Sequence, residues 1–268
     1  MHPLSPPLIQ TQLILGDLHE YQVLRNLPVT LRNVHCSTPY ILGEWRYETT
    51  ALMNPKLQMG VIGMKQIIIT HQLNLHQQAQ VSHLFYEAFP LKVKYLWFHA
   101  QTKDQAVKLL SQSIQFEQGI YATSDEKVVG FLGYNVGKKA FTPANHIAFR
   151  NVFPPIVATW RFFLYKFYLK FHLYPENVMH IDPIVVIEEA RGKGIGRLLL
   201  TELEQVAKNK QITRINLEVV DTNPSAQKLY ERIGYVIQKE LKSGPFTVHA
   251  GFRKVIFMQK CLQVSPPL

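Results

Sequence analysis

The stretch Val185-Val-Ile-Glu-Glu-Ala-Arg-Gly-Lys-Gly-Ile-Gly-Arg-Leu-Leu-Leu200 constrains the fold more than any other part of the chain. An apolar strand ends, and a turn carries Arg191, Gly192, Lys193, Gly194 and Gly196. An amphipathic helix then starts at once, with Ile195, Leu199, Leu203 and Val206 at helical spacing. Glycines without a Cβ let main-chain N–H groups converge on an anion, and a helix start adds its own N–H groups and the positive end of its dipole. Arg191, Lys193 and Arg197 add formal charge. The pattern predicts a diphosphate cradle between a strand and a helix. A Walker A loop requires GxxxxGK[ST], which this stretch lacks. A Rossmann turn requires GxGxxG and comes early, whereas the spacing here is GxGxG and late. A glycine-rich connection with solvated basic side chains is the remaining, non-functional reading.

The rest of the chain reads as a mixed α/β succession. A strand at 65–71 precedes helices near 75–88 and 103–116. A hairpin follows, 119–124 and 127–134, turning at Asp125-Glu126. After a long insert, the strand Val178–Ile187 leads into the glycine turn and a helix at 195–209. Then come a strand at 214–220, a short helix at 224–233, and two terminal strands at 235–241 and 247–260. Helix-linked strands imply parallel neighbours in the middle of the sheet. Residues 1–63, interrupted by prolines and without periodicity, are expected either to be a small extension or to precede a native start at Met64. Residues 263–268 are a tail.

A second constellation lies downstream: Asp221-Thr-Asn-Pro-Ser-Ala-Gln-Lys-Leu-Tyr-Glu-Arg-Ile-Gly-Tyr235. Arg191–Gly196 resembles motif A of the GNAT acetyltransferases, (Q/R)xxGx(G/A). The 221–235 stretch resembles their motif B, with the N-x-x-A-x-x-L-Y-x-x-x-G-(F/Y) spacing intact. The resemblance covers about 64–262. It implies the GNAT fold, a mixed central sheet with flanking helices, and transfer of an acetyl group from acetyl-CoA to an amine by direct attack in a ternary complex. It also implies that the backbone of Ile184, Val185 and Val186 pairs with the pantetheine arm. The amides of Arg191, Gly192, Lys193, Gly194, Ile195 and Gly196 would take the diphosphate. Asn223 falls where family members bond the cofactor arm, although it equally suits a cap on the helix starting at Pro224. Tyr230 falls where a phenol protonates the departing thiolate, or is simply a buried aromatic.

The proton acceptor is less determined. By strand alternation His180, Asp182, Ile184 and Val186 face one way. His180 falls at the position of a catalytic glutamate in one branch of the family, and imidazole suits proton transfer near neutrality. Asp182 and Glu218 are further candidates, and solvent alone is another. A packed, hydrogen-bonded histidine is the plain alternative. A non-catalytic CoA-binding sensor or interaction module is the alternative function.

Charge and composition narrow the partners. Lys and Arg exceed Asp and Glu by 29 to 19, and the excess lies in 65–268, as suits a polyanionic cofactor. No nucleic-acid motif accompanies it, so no nucleic-acid partner is expected. Two cysteines, Cys36 and Cys261, make no disulfide framework and no zinc spacing; no metal is expected. No secretory signal or membrane span is legible, so the expected location is the cytoplasm. The insert at 138–178 carries Lys138, Lys139, Arg150, Arg161, Lys166 and Lys170 against Glu176. Within it Phe163, Leu164, Phe167, Tyr168, Phe171 and Tyr174 share one helical arc. The readings open for it are a helix packed on the core, a wall or lid of the substrate site, a homodimer surface, and an interfacial membrane helix. As a substrate wall, its cations would disfavour polyamine or aminoglycoside acceptors.

Overall fold

The structure, a computed structural model, describes residues 66–170, 174–242 and 244–263. The 1–63 segment and all but the first residue of the 263–268 tail lie outside the described residues. Seven strands form one sheet: β1 (Ile68–Thr70), β2 (Gly119–Ser124), β3 (Lys127–Val136), β4 (Val178–Val186), β5 (Arg214–Val220), β6 (Val236–Lys242) and β7 (Lys254–Cys261). Their order is β1-β2-β3-β4-β5-β7-β6. Only β4 and β5 pair in parallel, with the helix Ile195–Asn209 as the crossover between them. The expected mixed α/β architecture is what forms.

The helices follow local signals. In α1 (Leu75–Ala88) the Asn74 side chain accepts from the Gln77 N–H at 2.9 Å, and Gln77 Oε1 accepts from the Asn74 N–H at 3.1 Å. This reciprocal box satisfies two otherwise orphaned donors. Thr102 caps α2 (Lys103–Ser113) and Asn145 caps α3 (His146–Val152). Then come α4 (Pro155–Lys170), α5 (Ile195–Asn209), α6 (Pro224–Arg232) and a short α7 (Pro245–His249). Asp125 and Glu126 turn the β2–β3 hairpin at φ 49° and 64°, the left-handed pair that a tight two-residue hairpin loop needs.

Several boundaries differ from expectation. The first strand is shorter, 68–70. The helix expected to 116 stops at Ser113, and Phe116–Gln118 forms a 3-10 turn. The insert helix starts at Pro155, well before the arc that begins at Phe163. The strand expected over 247–260 begins at Lys254, preceded by α7.

Each face of the sheet carries its own core. On one face α5 lays Ile195, Leu199, Leu200, Leu203 and Ala207 against Ile120, Leu132, Met179 and Ile215, with Tyr230 of α6 in the same cluster. On the other, α1–α4 enclose a largely aromatic core of Phe85, Trp97, Phe98, Phe131, Phe141, Phe149 and Tyr165. Phe85 meets Phe89 and Trp97 edge-on at 5.8 and 5.7 Å, the arrangement the ring quadrupoles favour.

Candidate active site

Two features of the sheet define the site. The parallel pairing of β4 with β5 covers only Val178↔Arg214, Met179↔Ile215 and His180↔Asn216. Beyond that pair the strands part, while β4 stays paired to β3 as far as Val186 and β5 to β7 as far as Val220. The β5-facing edge of Ile184–Val186 therefore lies outside the ladder, beside an opening through the sheet. The glycine turn follows directly.

In that turn Gly192 and Gly194 adopt φ of 75° and 80°, and a Cβ built at either would meet nothing within 4 Å. Both positions need a left-handed backbone and face open space. Gly194 is the N-cap of α5, whose first intrahelical bond runs from the Leu198 N–H to the Gly194 carbonyl at 3.0 Å. The N–H groups of Ile195, Gly196 and Arg197 thus precede the helical ladder. Gly196 serves packing as well: a Cβ there would lie 3.2 Å from Leu229 Cδ2 of α6. Arg191 departs from its expected part. Its N–H is engaged by the Glu188 carbonyl at 3.1 Å, and its guanidinium Nε donates to the Val186 carbonyl at 3.3 Å. Its backbone buttresses the turn instead of facing outward with the glycines.

The alternation expected along β4 fails midway. Met179 and Ile181 pack into the α5-side core, and so do Ile184 and Val186. The parity flips because β4 carries one extra residue around Asp182–Pro183, where Leu132 pairs with Ile184 but Tyr134 pairs with Ile181. His180 therefore faces away from Ile184 and Val186, toward the α1–α4 side. It is buried, and its ring stacks on Tyr174 at 4.2 Å between centroids and 12° between planes. Tyr230, by contrast, is buried on the α5 side. Burial pushes its phenol well above the usual range. The two catalytic candidates sit on opposite faces of the sheet.

Sequence reasoning missed much of the wall on the His180 side. Tyr174, at the exit of the insert, lies with its hydroxyl 3.5 Å from Glu218 Oε1. Trp97 Nε1 donates to the Tyr168 hydroxyl at 3.1 Å. Lys92 is half-buried with its ammonium over the rings of Phe89, Trp97 and Phe252, at 5.2, 5.6 and 5.4 Å from the centroids. Burial holds it below the ordinary lysine range, opposed by the carboxylates of Asp182 and Glu218. The buried Oδ1 of Asn216, opposite His180 where the strands part, meets no hydrogen-bond donor among the described residues. Asn216 also carried a readable cue, an amide between the apolar Ile215 and Leu217.

The insert helix is also turned differently. Its inner face is Ala158, Phe162, Tyr165, Tyr168 and Leu169, while Phe163 of the expected apolar arc is exposed. Phe171 lies outside the described residues. Lys166 and Lys170 are on the outer side. Lys92, Asp182 and Glu218, rather than Lys166 and Lys170, supply the charge on the His180 side.

Asn223 caps α6: its Oδ1 accepts from the Ala226 N–H at 3.2 Å and the Ser225 hydroxyl at 3.0 Å. Asn223→Ala should lower unfolding free energy by about 1 kcal/mol in urea denaturation; unchanged stability would deny the cap. The open glycine turn and the unladdered strand edge fit a ligand with a diphosphate at one end and an amide-bearing arm at the other, and the orphaned Asn216 Oδ1 can accept a hydrogen bond from a second ligand. Among the described residues, no group of three or more His, Cys, Asp or Glu could hold a metal.

Residues 79–235 match the Acetyltransferase (GNAT) family. The uncharacterized N-acetyltransferase YobR of Bacillus subtilis is 32% identical over 104 residues, 36% of this chain and 41% of that protein. A thialysine N-epsilon-acetyltransferase of Caenorhabditis elegans is 29% identical over 70 residues, 26% of this chain and 44% of that protein. The chain thus spans less than half the length of these curated relatives. A GCN5-related N-acetyltransferase from Kribbella flavida aligns at TM-score 0.49 with 18% identity, over 73% of this chain and 98% of that one. A ribosomal-protein-alanine N-acetyltransferase from Brucella melitensis aligns at TM-score 0.47 with 19% identity, over 73% and 99%. The match over more than half of the chain, on a sheet parted beside a glycine turn, places this protein in the GNAT acetyltransferase family.

Proposed function

We propose that the chain transfers an acetyl group from acetyl-CoA to an amine by direct attack within a ternary complex. The observation that carries this reading is the parting of β4 and β5 beyond the His180–Asn216 pair, directly before the glycine turn. Acetyl-CoA supplies the acetyl group as an activated thioester. The main-chain N–H groups of Gly192–Gly196 hold the diphosphate, with Lys193 adding charge. The open edge of Ile184, Val185 and Val186 holds the amide-bearing arm, and a strand N–H there stabilises charge on the reacting carbonyl oxygen. Asn223 lies at the arm's flank.

His180 takes a proton from the acceptor's ammonium, and the stack on Tyr174 fixes its ring plane. Tyr230 donates its phenol proton to the departing thiolate from the opposite face. Asp182 and Glu218 draw a cationic acceptor to the His180 side, and the orphaned Asn216 Oδ1 receives one of its N–H groups. The protein acts in the cytoplasm; among its described residues no helix is long and apolar enough to cross a membrane.

The test is purified full-length protein with acetyl-CoA and a panel of small and peptide amines, following free thiol. Amine-dependent thiol release is expected, and His180→Ala should lower kcat about a hundredfold or more while leaving acetyl-CoA affinity unchanged. Binding of acetyl-CoA with no amine raising thiol release above background would favour a non-catalytic CoA-binding module instead.

A further inference from the structure

We propose that the outer face of α4 docks the protein on an anionic lipid surface. The helix is apolar on both sides. Ala158 and Tyr165 are buried in the aromatic core, yet Ile156, Trp160 and Phe163 are 87%, 59% and 57% exposed. These three recur at i, i+4 and i+7, so they form one stripe opposite the buried one. With Pro155 and Thr159 they line a single shallow depression. Solitary exposed apolar residues need no explanation, but a contiguous aromatic and aliphatic stripe marks an interaction surface.

The charge around the stripe identifies the occupant. Lys166 and Lys170 are exposed and stand three positions after Phe163 and Phe167, beside the stripe. Neither α3 nor α4 holds an acidic residue, and between positions 138 and 178 six basic residues stand against Glu176 alone. A second copy of this basic chain would bring cations to cations. An anionic lipid surface supplies the opposite charge, and its headgroup boundary accepts Trp and Phe rings. At 16 residues, α4 is too short to span a bilayer and suited to lie along it. The relation of this face to catalysis is geometric: the insert that presents it outward also delivers Tyr174 to His180.

The full chain should co-sediment with vesicles containing phosphatidylglycerol and weakly or not at all with pure phosphatidylcholine. The double substitutions Trp160→Ser/Phe163→Ser and Lys166→Glu/Lys170→Glu should each weaken vesicle binding more than about tenfold. Unchanged acetyl-CoA affinity would show that each variant is folded. The proposal is overturned by no preference for anionic vesicles, or by variants that bind as the parent does. A dimer in sedimentation velocity that Trp160→Ser/Phe163→Ser dissociates would also overturn it, assigning the face to a second copy.

Discussion

Gly194→Val is expected to weaken acetyl-CoA binding roughly thirty- to a hundredfold, the loss of one or two charge-assisted hydrogen bonds. At φ 80° a β-branched residue is strained, and its side chain projects into space that is open in the free protein. The free protein therefore bears only the backbone strain, about 1–2 kcal/mol. That lowers the thermal midpoint by only several degrees. The bound state loses more, because the added methyl groups hold the diphosphate away from the N–H groups of the first turn of α5. Calorimetric titration with acetyl-CoA and a thermal melt on the same sample separate the two effects. Unchanged affinity with the lowered midpoint would show that the cofactor phosphates bind elsewhere. Gly196 makes a different comparison, since its Cβ would press on Leu229 and disturb the α5–α6 packing.

Tyr230→Phe should lower kcat by about a hundredfold to ten-thousandfold, the range for removing a general acid, with acetyl-CoA affinity retained. Steady-state kinetics with direct binding measurements decides it; a small kcat effect would leave Tyr230 as a packed aromatic only. The same substitution carries a pH signature. Burial raises the folded-state pKa of Tyr230 above its unfolded value of about 10. Its contribution to stability is therefore fully present below the unfolded value and lost as pH rises toward the folded one. Above pH about 10 the unfolded chain releases this proton and the folded chain does not, so parent stability falls by about 1.4 kcal/mol per pH unit on this account. Tyr230→Phe lacks that loss, and should gain on the parent above pH about 10 and track it below. Chemical denaturation of both proteins at a series of alkaline pH values reads the difference.

The helix at 195–209 and the strand at 214–220 were legible to the residue, because their signals are local. Glycines stand where a turn needs positive φ, and an apolar stripe of period 3.6 gives way to strict alternation of buried and half-buried positions. The glycine turn was legible for the same reason, since a strand, a turn and a helix start are adjacent in sequence. What the sequence did not determine was orientation. A single extra residue near Pro183 flips the alternation of β4, and so puts His180 on the opposite face from Ile184. The insert helix presents two apolar faces, and no periodicity says which of them the core will take. Lys92 and Trp97, Tyr174, Asp182, and Glu218 converge from four separate segments, and only the packing of those segments brings them together. The glycine turn depends on neighbours along the chain; the wall around His180 depends on neighbours in space.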